Sequence, residues 1–491
     1  MRQGRPVEAG RRRPADREVH RDHRGRHRVS APHAAPAPPD LATLETLAAA
    51  AVERARRAGA THAEAIVGQS RAFTVRASGG AIESLKHSAS RALGLRVIVD
   101  GAVGFVTGND LSPAALDDLA ARAVALARFS TPDEANQLPS DEETAGADDA
   151  PDLALYDPEV LALTPDTKIA WALELERVAL GHDPRIRRTD GAMVSSRDGA
   201  SALANSNGLV RSSAGTSVSM YVVPLADEGD GRQQTGVYGC ARRWVKDLEA
   251  VEAVAREAAR RAVARLGARR VPTARVPVVM HPDIAASWIG EMYDAFTGEA
   301  VLKKASWLTG RLGQRIAAPV VTLVDDGRLR AGLGSAAHDG EGVPTRRNVL
   351  VDRGTLAMFE YDTYHARRAG TRSTGNAVRG VGSVPGIGPH NLFVEPGAET
   401  PEAILARVDR GFYMDDQGSY GFNAVTGDYS FQAQGFWIEH GVKAFPVEGV
   451  TVAGTSLDML ARVVAVGNDL RWNSSIACPT LLIAEMTVSG A

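Results

Sequence analysis

The alternation of apolar and polar residues predicts a helix–sheet–helix unit at the start of the folded chain. Residues 41–60 carry apolar side chains at helical spacing, which is typical of an amphipathic helix. Residues 61–80 alternate between apolar and polar side chains and predict two strands. Further strands follow, with Asp100 and Gly101 at a hairpin turn, before a second helix at 112–127.

The middle of the chain predicts a helix, a hairpin and a long helix. Residues 164–180 and 248–266 have helical spacing, and Asn207-Gly208 between them is typical of a hairpin turn. An acidic, proline-bearing stretch before this unit is typical of a linker. The pattern predicts five segments: a disordered Arg/Pro/His-rich tail (1–40), an N-terminal α/β domain (41–130), an acidic linker (131–155), a middle domain (156–272) and a β-rich C-terminal domain (273–491).

The C-terminal half is predicted to be β-rich, with one helix near its start that Asp283 caps. Its densest feature is the 418–435 segment, GSYGFNAVTGDYSFQAQG, which continues into a hairpin at 436–447. Glycines that alternate with aromatic, amide and hydroxyl residues are typical of a binding surface made of backbone and polar side chains. The alternative is an ordinary Gly-rich turn region. The predicted fold class is α+β: an N-terminal helix–sheet unit, a middle helix/hairpin unit and the β-rich C-terminal domain.

Composition and charge narrow the classes of function. The 491 residues carry a formal net charge of −3, which gives no reason to expect nucleic-acid binding or a membrane-surface role. No apolar run approaches the roughly 18 residues of a membrane span. Only two cysteines are present, which excludes a disulfide framework and fits a reducing cytoplasm. The first forty residues have almost no large apolar side chains, so we expect them to be disordered.

Local catalytic motifs are missing from the sequence. None of the twelve histidines is followed by Glu, so a zincin helix is absent, and neither a G-x-S-x-G elbow nor a Gly-Lys phosphate loop occurs. The carboxylate pairs Asp325-Asp326 and Asp415-Asp416 are predicted to lie at turns. Cys478 precedes Pro479 at the start of an apolar strand, which favours burial over an activated thiolate.

Several separate runs resemble the TldD/PmbA family. The C-terminal run GSYGFNAVTGDYSFQAQGFWIEHGVKAFPVEGVTVAG is similar to it, followed by GNDLRW and PTLLIAEMTVSG. The runs SWLTGRLGQRIAAPVVTLVDDG and EGVPTRRNVLVDRGTL, and NQLP nearer the N-terminus, are similar to it too. The resemblance covers about residues 45–491. It implies a three-part architecture and a cytoplasmic peptidase built from two related subunits.

The resemblance also separates two branches. TldD resembles a zinc protease with a His-Glu-x-x-x-His helix and a later Cys, whereas TldE, also called PmbA, lacks those ligands. By an ungapped count back from SWLTGRLG, Ile289 and Asp294 stand where the two His would be and Gly290 where the Glu would be. The chain therefore resembles the TldE branch, and the resemblance implies a heteromer with a TldD-like catalytic subunit that holds the zinc.

We therefore predict a non-catalytic subunit of a cytoplasmic metallopeptidase that cleaves unfolded peptides or peptide precursors. No catalytic residue, metal ligand or cofactor is assigned to this chain, and neither membrane nor direct nucleic-acid binding is expected. The 418–435 segment is expected to present a sheet edge or a lining to an extended peptide or to the partner. The candidate substrate- or partner-facing residues are Asn423, Asp428, Tyr429, Ser430 and Gln434.

Two alternatives stay open at this point. One is a peptide-binding or modulator protein without proteolysis. The other is a self-sufficient metallopeptidase whose metal site is assembled from residues that are distant in sequence.

Overall fold

The structure is a computed structural model that describes residues 37–146, 151–418 and 421–490. Most of the predicted N-terminal tail (residues 1–36), four residues of the predicted linker (147–150) and two residues of the 418–435 segment lie outside the described residues. Within the described part of the chain, no helix is both long and apolar enough to cross a membrane.

The first half of the described chain alternates helices with long strands. Asp40 caps the first helix by accepting a hydrogen bond from the N–H of Thr43, and Ser112 caps the helix that follows the third strand. The elements are α1 (Leu41–Arg57), β1 (His62–Ser78), β2 (Ala81–Val99), β3 (Ala102–Gly108), α2 (Pro113–Ala127), α3 (Asp141–Thr144), α4 (Pro158–Ala162), α5 (Pro165–Leu180), β4 (Ile186–Asn205), β5 (Val210–Asp227), β6 (Gln233–Thr235), β7 (Tyr238–Arg242) and α6 (Val251–Ala264).

These strands form one antiparallel sheet in the order β3-β2-β1-β4-β5-β6, with β7 also paired to β5. Pairing between β1 and β4 therefore joins the predicted N-terminal and middle units into a single layer. Val67 and Val75 of β1 lie on the same face of the sheet because side chains alternate along a strand. Val67 packs in the cluster of α1 and α2, and Val75 packs in the cluster of α5 and α6. Both helix pairs thus cover one face.

The second half contains shorter strands and helices. Its elements are β8 (Ala274–Met280), α7 (Pro282–Glu291), α8 (Gly298–Leu302), β9 (Leu323–Asp326), β10 (Arg347–Asp352), β11 (Thr355–Leu356), α9 (Thr363–Ala369), β12 (Ala377–Val378), β13 (Gly386–Ile387), β14 (Leu392–Val394), α10 (Pro401–Ala406), β15 (Arg410–Gln417), β16 (Phe422–Asn423), β17 (Asp428–Glu439), β18 (Val442–Thr455), α11 (Ser456–Ala461), β19 (Val463–Val466), β20 (Ile476–Ala477) and β21 (Leu481–Ser489).

Five strands of this half close on themselves. The pairings run β8-β21-β18-β17-β15, and β15 pairs back to β8, so the sheet forms a ring. Phe412 of β15 and Phe431 of β17 contribute to the largest apolar core, which also receives Trp288 of α7. A second sheet, in the order β11-β10-β9-β14-β20, stands beside this ring. The predicted α+β class and β-rich C-terminal half are confirmed.

The uncovered face of the seven-stranded sheet meets the C-terminal half. Gly94 of β2 lies so close to the loop after β12 that an added Cβ would stand 2.4 Å from the carbonyl oxygen of Val381. Beside this contact, the buried carboxylate of Glu64 lies 2.6 Å from Nε of Arg96 and 2.6 Å from a terminal nitrogen of Arg379. Close backbone approach and buried ion pairs therefore hold the two halves of the chain together.

Several predicted boundaries are wrong. Residues 61–80 form one long strand and not two, because β1 pairs along its whole length with β2. Helix α7 is capped by His281 and not by Asp283, and it ends at Glu291 before a 3-10 turn. Asp325 and Asp326 lie in β9 and are buried, so the turn prediction fails for this pair. Asp415 and Asp416 likewise lie in β15, at a bulge.

Candidate functional site

Helix α7 forms one wall of an open cleft. Pro282 occupies its first turn, where a missing N–H costs nothing, and its apolar side chains are buried toward the large core. Trp288 is fully buried, and its indole N–H donates to the hydroxyl of Ser456 over 3.1 Å. The other side of α7 therefore stays free to face solvent.

That exposed side and the loop at residues 471–476 enclose a cavity of about 560 Å³, which we call the α7 cleft. This volume lies in the range of pockets that bind small ligands or a few residues of a peptide. Acidic and small polar groups of α7 and its following turn face Arg471 and an amide across the cleft. The lining side chains used below are Asp283, Ser287, Glu291, Asp294, Arg471, Asn473 and Ile476.

The 418–435 segment reaches the α7 cleft through hydrogen bonds. The side-chain amide of Gln417, at the end of β15, donates to the hydroxyl of Ser287 over 2.8 Å. The hydroxyl of Tyr429 in turn donates to Oε1 of Gln417 over 3.1 Å. Burial, and then the nearby charge of Glu291, raise the pKa of Tyr429, so this hydroxyl keeps its proton. The two regions singled out from the sequence are thus physically connected.

The alternation of side chains along β17 places some of the predicted site residues on the exposed face and one on the buried face. Asp428, Ser430 and Gln434 lie on one face of β17, where Asp428 and Ser430 are exposed and Gln434 is half-buried. Gln434 lines a second cavity, of about 430 Å³, beside Arg270 and Glu448. Asn423 is exposed at the end of β16, and its Oδ1 accepts from the N–H of Val425. These four side chains are placed where a peptide or partner could contact them, and that role stays a prediction.

Tyr429 lies on the opposite face of β17 and is buried, with 1% of its surface exposed. Its ring packs against Phe431 with centroids 4.5 Å apart. Because it faces the core, its contribution to the α7 cleft passes through Gln417 and not through direct exposure.

The expected free sheet edge at β17 is wrong. The strand is hydrogen bonded to β18 on one side and to β15 and β16 on the other, so its backbone groups already have partners. The glycines of the segment serve this closure: a Cβ at Gly435 would stand 1.9 Å from the carbonyl oxygen of Tyr413. A Cβ at Gly421 would stand 1.5 Å from the carbonyl oxygen of Ser430. Close approach of strands therefore explains these glycines.

At the start of α7, His281 joins a second group of polar residues. Its Nδ1 accepts from the N–H of Asp283 over 3.1 Å, and Arg261 donates to Oδ2 of Asp283 over 3.0 Å. Burial, with a further contribution from the Arg261 charge, lowers the pKa of His281 to about 4. The imidazole is therefore neutral at pH 7, and it marks the end of the α7 cleft.

Comparison with known proteins decides the family. Three sequence models match in order: "PmbA/TldA metallopeptidase domain 1" at residues 63–127, the central domain at 158–266 and the C-terminal domain at 273–490. Metalloprotease PmbA of Escherichia coli O157:H7 is 32% identical over 428 residues, covering 87% of this chain and 92% of that protein. The chain belongs to the TldD/PmbA family. This relative and the homologue described next carry the PmbA name, which places the chain in the PmbA/TldE branch.

Further relatives agree with the TldD/PmbA assignment. A PmbA homologue of Haemophilus influenzae is 31% identical over 443 residues, covering 90% of this chain and 94% of that protein. The crystal structure of a candidate DNA gyrase modulator from Bacteroides thetaiotaomicron has a TM-score of 0.83 at 26% identity, covering 91% of this chain and 99% of that one. TldE from Thermococcus kodakarensis has a TM-score of 0.81 at 24% identity, covering 89% and 99%, and shows the fold.

The residues at the counted positions of the TldD/PmbA zinc helix do not fit a zinc ion. Ile289 is apolar and faces the core, and Gly290 has no side chain and packs against Ile476. Asp294 is exposed and lies beyond the end of α7, in the 3-10 turn. Structural and catalytic zinc sites take three or four ligands from Cys, His and carboxylates. In the described ranges, no group of three or more such side chains is arranged to hold a metal.

Cys478 is buried, as predicted, and Cys240 is buried too. Burial, followed by the nearby charge of Asp469, raises the pKa of the Cys478 thiol well above its usual value. Neither an activated thiolate nor a ready metal ligand follows from that environment.

Several residues that build the site have no predicted role from sequence. Ser287, Gln417 and the loop that carries Arg471 were not singled out, although GNDLRW was noted as a motif. No spacing rule connects residues 287, 417 and 471, because the fold brings them together from separate elements. The only signal was the density of polar residues around 418–435, which lies one residue from Gln417.

Proposed function

We propose that this chain is the non-catalytic subunit of a heteromeric metallopeptidase that cleaves unfolded peptides or peptide precursors. One observation carries the proposal: helix α7 and the 3-10 turn after it carry Ile289, Gly290 and Asp294 where a zinc protease of this family would need His, Glu and His. The chain keeps the fold of the family, but the residues at these three positions do not form a set of zinc ligands. A TldD-like partner would supply the zinc and break the bond.

The α7 cleft and the exposed face of β17 support a role in holding substrate. The cleft offers hydroxyl, amide and carboxylate groups to a chain that has no fixed structure of its own. Because both edges of β17 are occupied, we propose contact through side chains such as Asp428 and Ser430, and not addition of a strand to this edge. The expected location of the complex is the cytoplasm, where its substrates would be flexible peptides.

The test compares the purified chain with and without its TldD-like partner. We expect the chain alone to contain no stoichiometric zinc and to leave an unstructured peptide intact, and the zinc-loaded pair to cleave it. A partner whose His-Glu-x-x-x-His motif is disabled serves as the matched control and should abolish cleavage by the pair. A pull-down with this chain then identifies the native partner, and the sequence of that partner shows whether it carries the motif.

Two other outcomes would replace the proposal. The sequence relatives are named metalloproteases, which favours testing for a self-sufficient enzyme. Cleavage by the zinc-loaded lone chain would establish that function. Peptide binding with no cleavage under any pairing would instead favour a modulator without proteolysis.

A further inference from the structure

A small polar cavity lies at the N-terminal end of α7, beside the α7 cleft. Its volume is about 220 Å³, and we call it the His281 pocket. Its walls are His281, Arg260, Arg261 and Lys443, with Tyr413 and Phe436 as aromatic surfaces and Asp415 as the lining carboxylate. The carboxylate of Asp283 contacts Arg261 and also lines the α7 cleft, so the two cavities share one wall.

Two hydrogen-bond donors face one another in the His281 pocket. The bond from the N–H of Asp283 to Nδ1 of His281 measures 3.1 Å and is shorter than the 3.4 Å contact between Nδ1 and the Asp283 carboxylate. Nδ1 therefore acts as an acceptor, and the proton of the neutral ring lies on Nε2. Arg261 places a terminal nitrogen 3.4 Å from this same Nε2. An acceptor atom bound between them would satisfy both N–H groups.

Two further polar groups of the pocket form neither a hydrogen bond nor an ion pair with the described residues. Tyr413 is 8% exposed, and its hydroxyl makes no hydrogen bond to a residue in the described ranges. The ammonium group of Lys443 lies 3.3 Å from the centre of the Tyr413 ring and forms no ion pair within the described chain. The pocket therefore collects donors from α6, β15, β18 and the N-cap of α7 around one small space.

The charges around the pocket select the ligand. Glu257 accepts two hydrogen bonds from Arg260 and one from Arg261, and Asp415 accepts from Arg265. Together with Asp283, which accepts from Arg261, these carboxylates offset most of the positive charge of the pocket, so a dianion would meet repulsion that a singly charged group would not. Tyr413 and Phe436 offer apolar surface next to the donors. A carboxylate attached to an apolar side chain matches this arrangement.

We propose that the His281 pocket binds the C-terminal carboxylate of a peptide whose preceding residues lie in the α7 cleft. The inference rests on the proposed function, because it names the peptide end that this subunit would recognise. His281 Nε2 and Arg261 would donate to one carboxylate oxygen, and Lys443 and the Tyr413 hydroxyl would lie within reach of the other. The last side chain of the peptide would pack on Tyr413 and Phe436.

The test measures binding to the full chain in the absence of any catalytic partner. The probes are an N-acetylated unstructured peptide that ends in Phe with a free carboxylate, the same peptide with a C-terminal amide, and inorganic phosphate. We expect the acid to bind at least about 10-fold more tightly than the amide, the ratio for one hydrogen-bonded charge. Equimolar phosphate should leave the bound peptide in place.

Variants locate the effect. Lys443→Gln and His281→Asn should each weaken binding of the acid by about 10-fold and leave the amide unchanged, while Lys443→Arg should retain the preference. Lys246→Gln is the matched control, because Lys246 also lies over an aromatic ring, 5.0 Å from the centre of Trp244, but outside the pocket. Melting curves identify any variant that fails to fold. Lys443→Arg keeps the positive charge, so it separates loss of the charge from loss of the fold.

Equal affinity for acid and amide would overturn the carboxylate site, and so would displacement of the peptide by equimolar phosphate. Either result would leave the role beside a catalytic partner standing, because that role is measured by cleavage. Cleavage by the lone chain would conversely refute the proposed function while a preference for the acid persisted.

Discussion

The role of His281 as the cap of α7 depends on the protonation state of its ring. Its ring caps α7 as an acceptor, a role usually taken by Ser, Thr, Asp or Asn, and this requires the ring to stay neutral. Burial lowers the pKa of His281 to about 4, below the value of about 6.5 for a free histidine. The folded state is therefore penalised when the ring must take up a proton.

We expect the wild-type chain to lose stability between pH 6.5 and pH 4 relative to His281→Asn. The contribution is fully present above the unfolded pKa and is lost as the pH falls through the folded pKa, up to about 3 kcal/mol. Asn keeps the cap without titrating. Melting temperatures of both proteins across this range test the prediction, and parallel curves would contradict it.

Glu64 offers a second test at the residue scale. Its carboxylate is fully buried, with Arg96 and Arg379 each 2.6 Å away. Glu64→Gln should lower the free energy of unfolding by about 3–5 kcal/mol, because the buried guanidinium group of Arg379 loses its charge partner and that of Arg96 keeps only a 3.4 Å contact with Glu341. Urea unfolding measures the change.

Glu83→Gln is the matched control for this variant. Glu83 lies on the same sheet and is also 2.6 Å from an arginine, Arg76, but its side chain is 51% exposed. Its loss should cost less than about 1 kcal/mol because solvent screens the pair. Equal costs for the two variants would mean that burial of Glu64 does not matter.

The residue scale also marks the limit of prediction from sequence. The sequence of β17 shows that its side chains alternate between two faces. It does not show which face is buried, because that depends on the elements that pack against each face. Asp428, Ser430 and Tyr429 therefore looked equivalent, although Tyr429 is buried and the other two are exposed. His281 and Lys443 could not be joined from sequence, because 162 residues separate the two positions.

At the scale of elements, the loop after β12 depends on a glycine in a strand that is distant in sequence. Gly94→Ala should lower the free energy of unfolding by about 1–3 kcal/mol, because the new Cβ would press on the Val381 carbonyl and neither backbone can move freely. Gly382→Ala, in the same loop, is the control: a Cβ there meets nothing within 4 Å. Melting curves compare the two.

A change of less than about 0.5 kcal/mol for Gly94→Ala, the range of ordinary surface substitutions, would show that the loop yields easily.

Elements themselves were largely predictable from the sequence. Helical spacing found α1, α2 and α5, and Asp100-Gly101 marked the turn between β2 and β3. The length of β1 and the end of α7 were missed, because pairing with β2 and β4 and the local 3-10 turn override local pattern.

At the scale of the whole molecule, the buried apolar clusters in the described part of the chain consist of residues after position 40. Removal of residues 1–36 should therefore leave the melting temperature unchanged within about 2 °C, less than a shift of 1 kcal/mol would produce. Removal of residues 1–60 is the control and should lower it strongly, because α1 buries Leu44, Ala48 and Val52. A large drop for the shorter deletion would contradict the predicted tail.

The pairing of β1 with β4 has a consequence for the order in which the protein can be made. Glu64 pairs with Asn205, so β1 leaves the ribosome about 140 residues before its neighbour exists. At synthesis speeds of roughly 5–20 residues per second, that interval lasts on the order of ten seconds. During it, β1 can pair with β2 but its other edge has no partner, and a long unpaired strand edge is the kind of surface that chaperones shield. Translation rate through residues 130–205 should therefore influence the yield of folded protein.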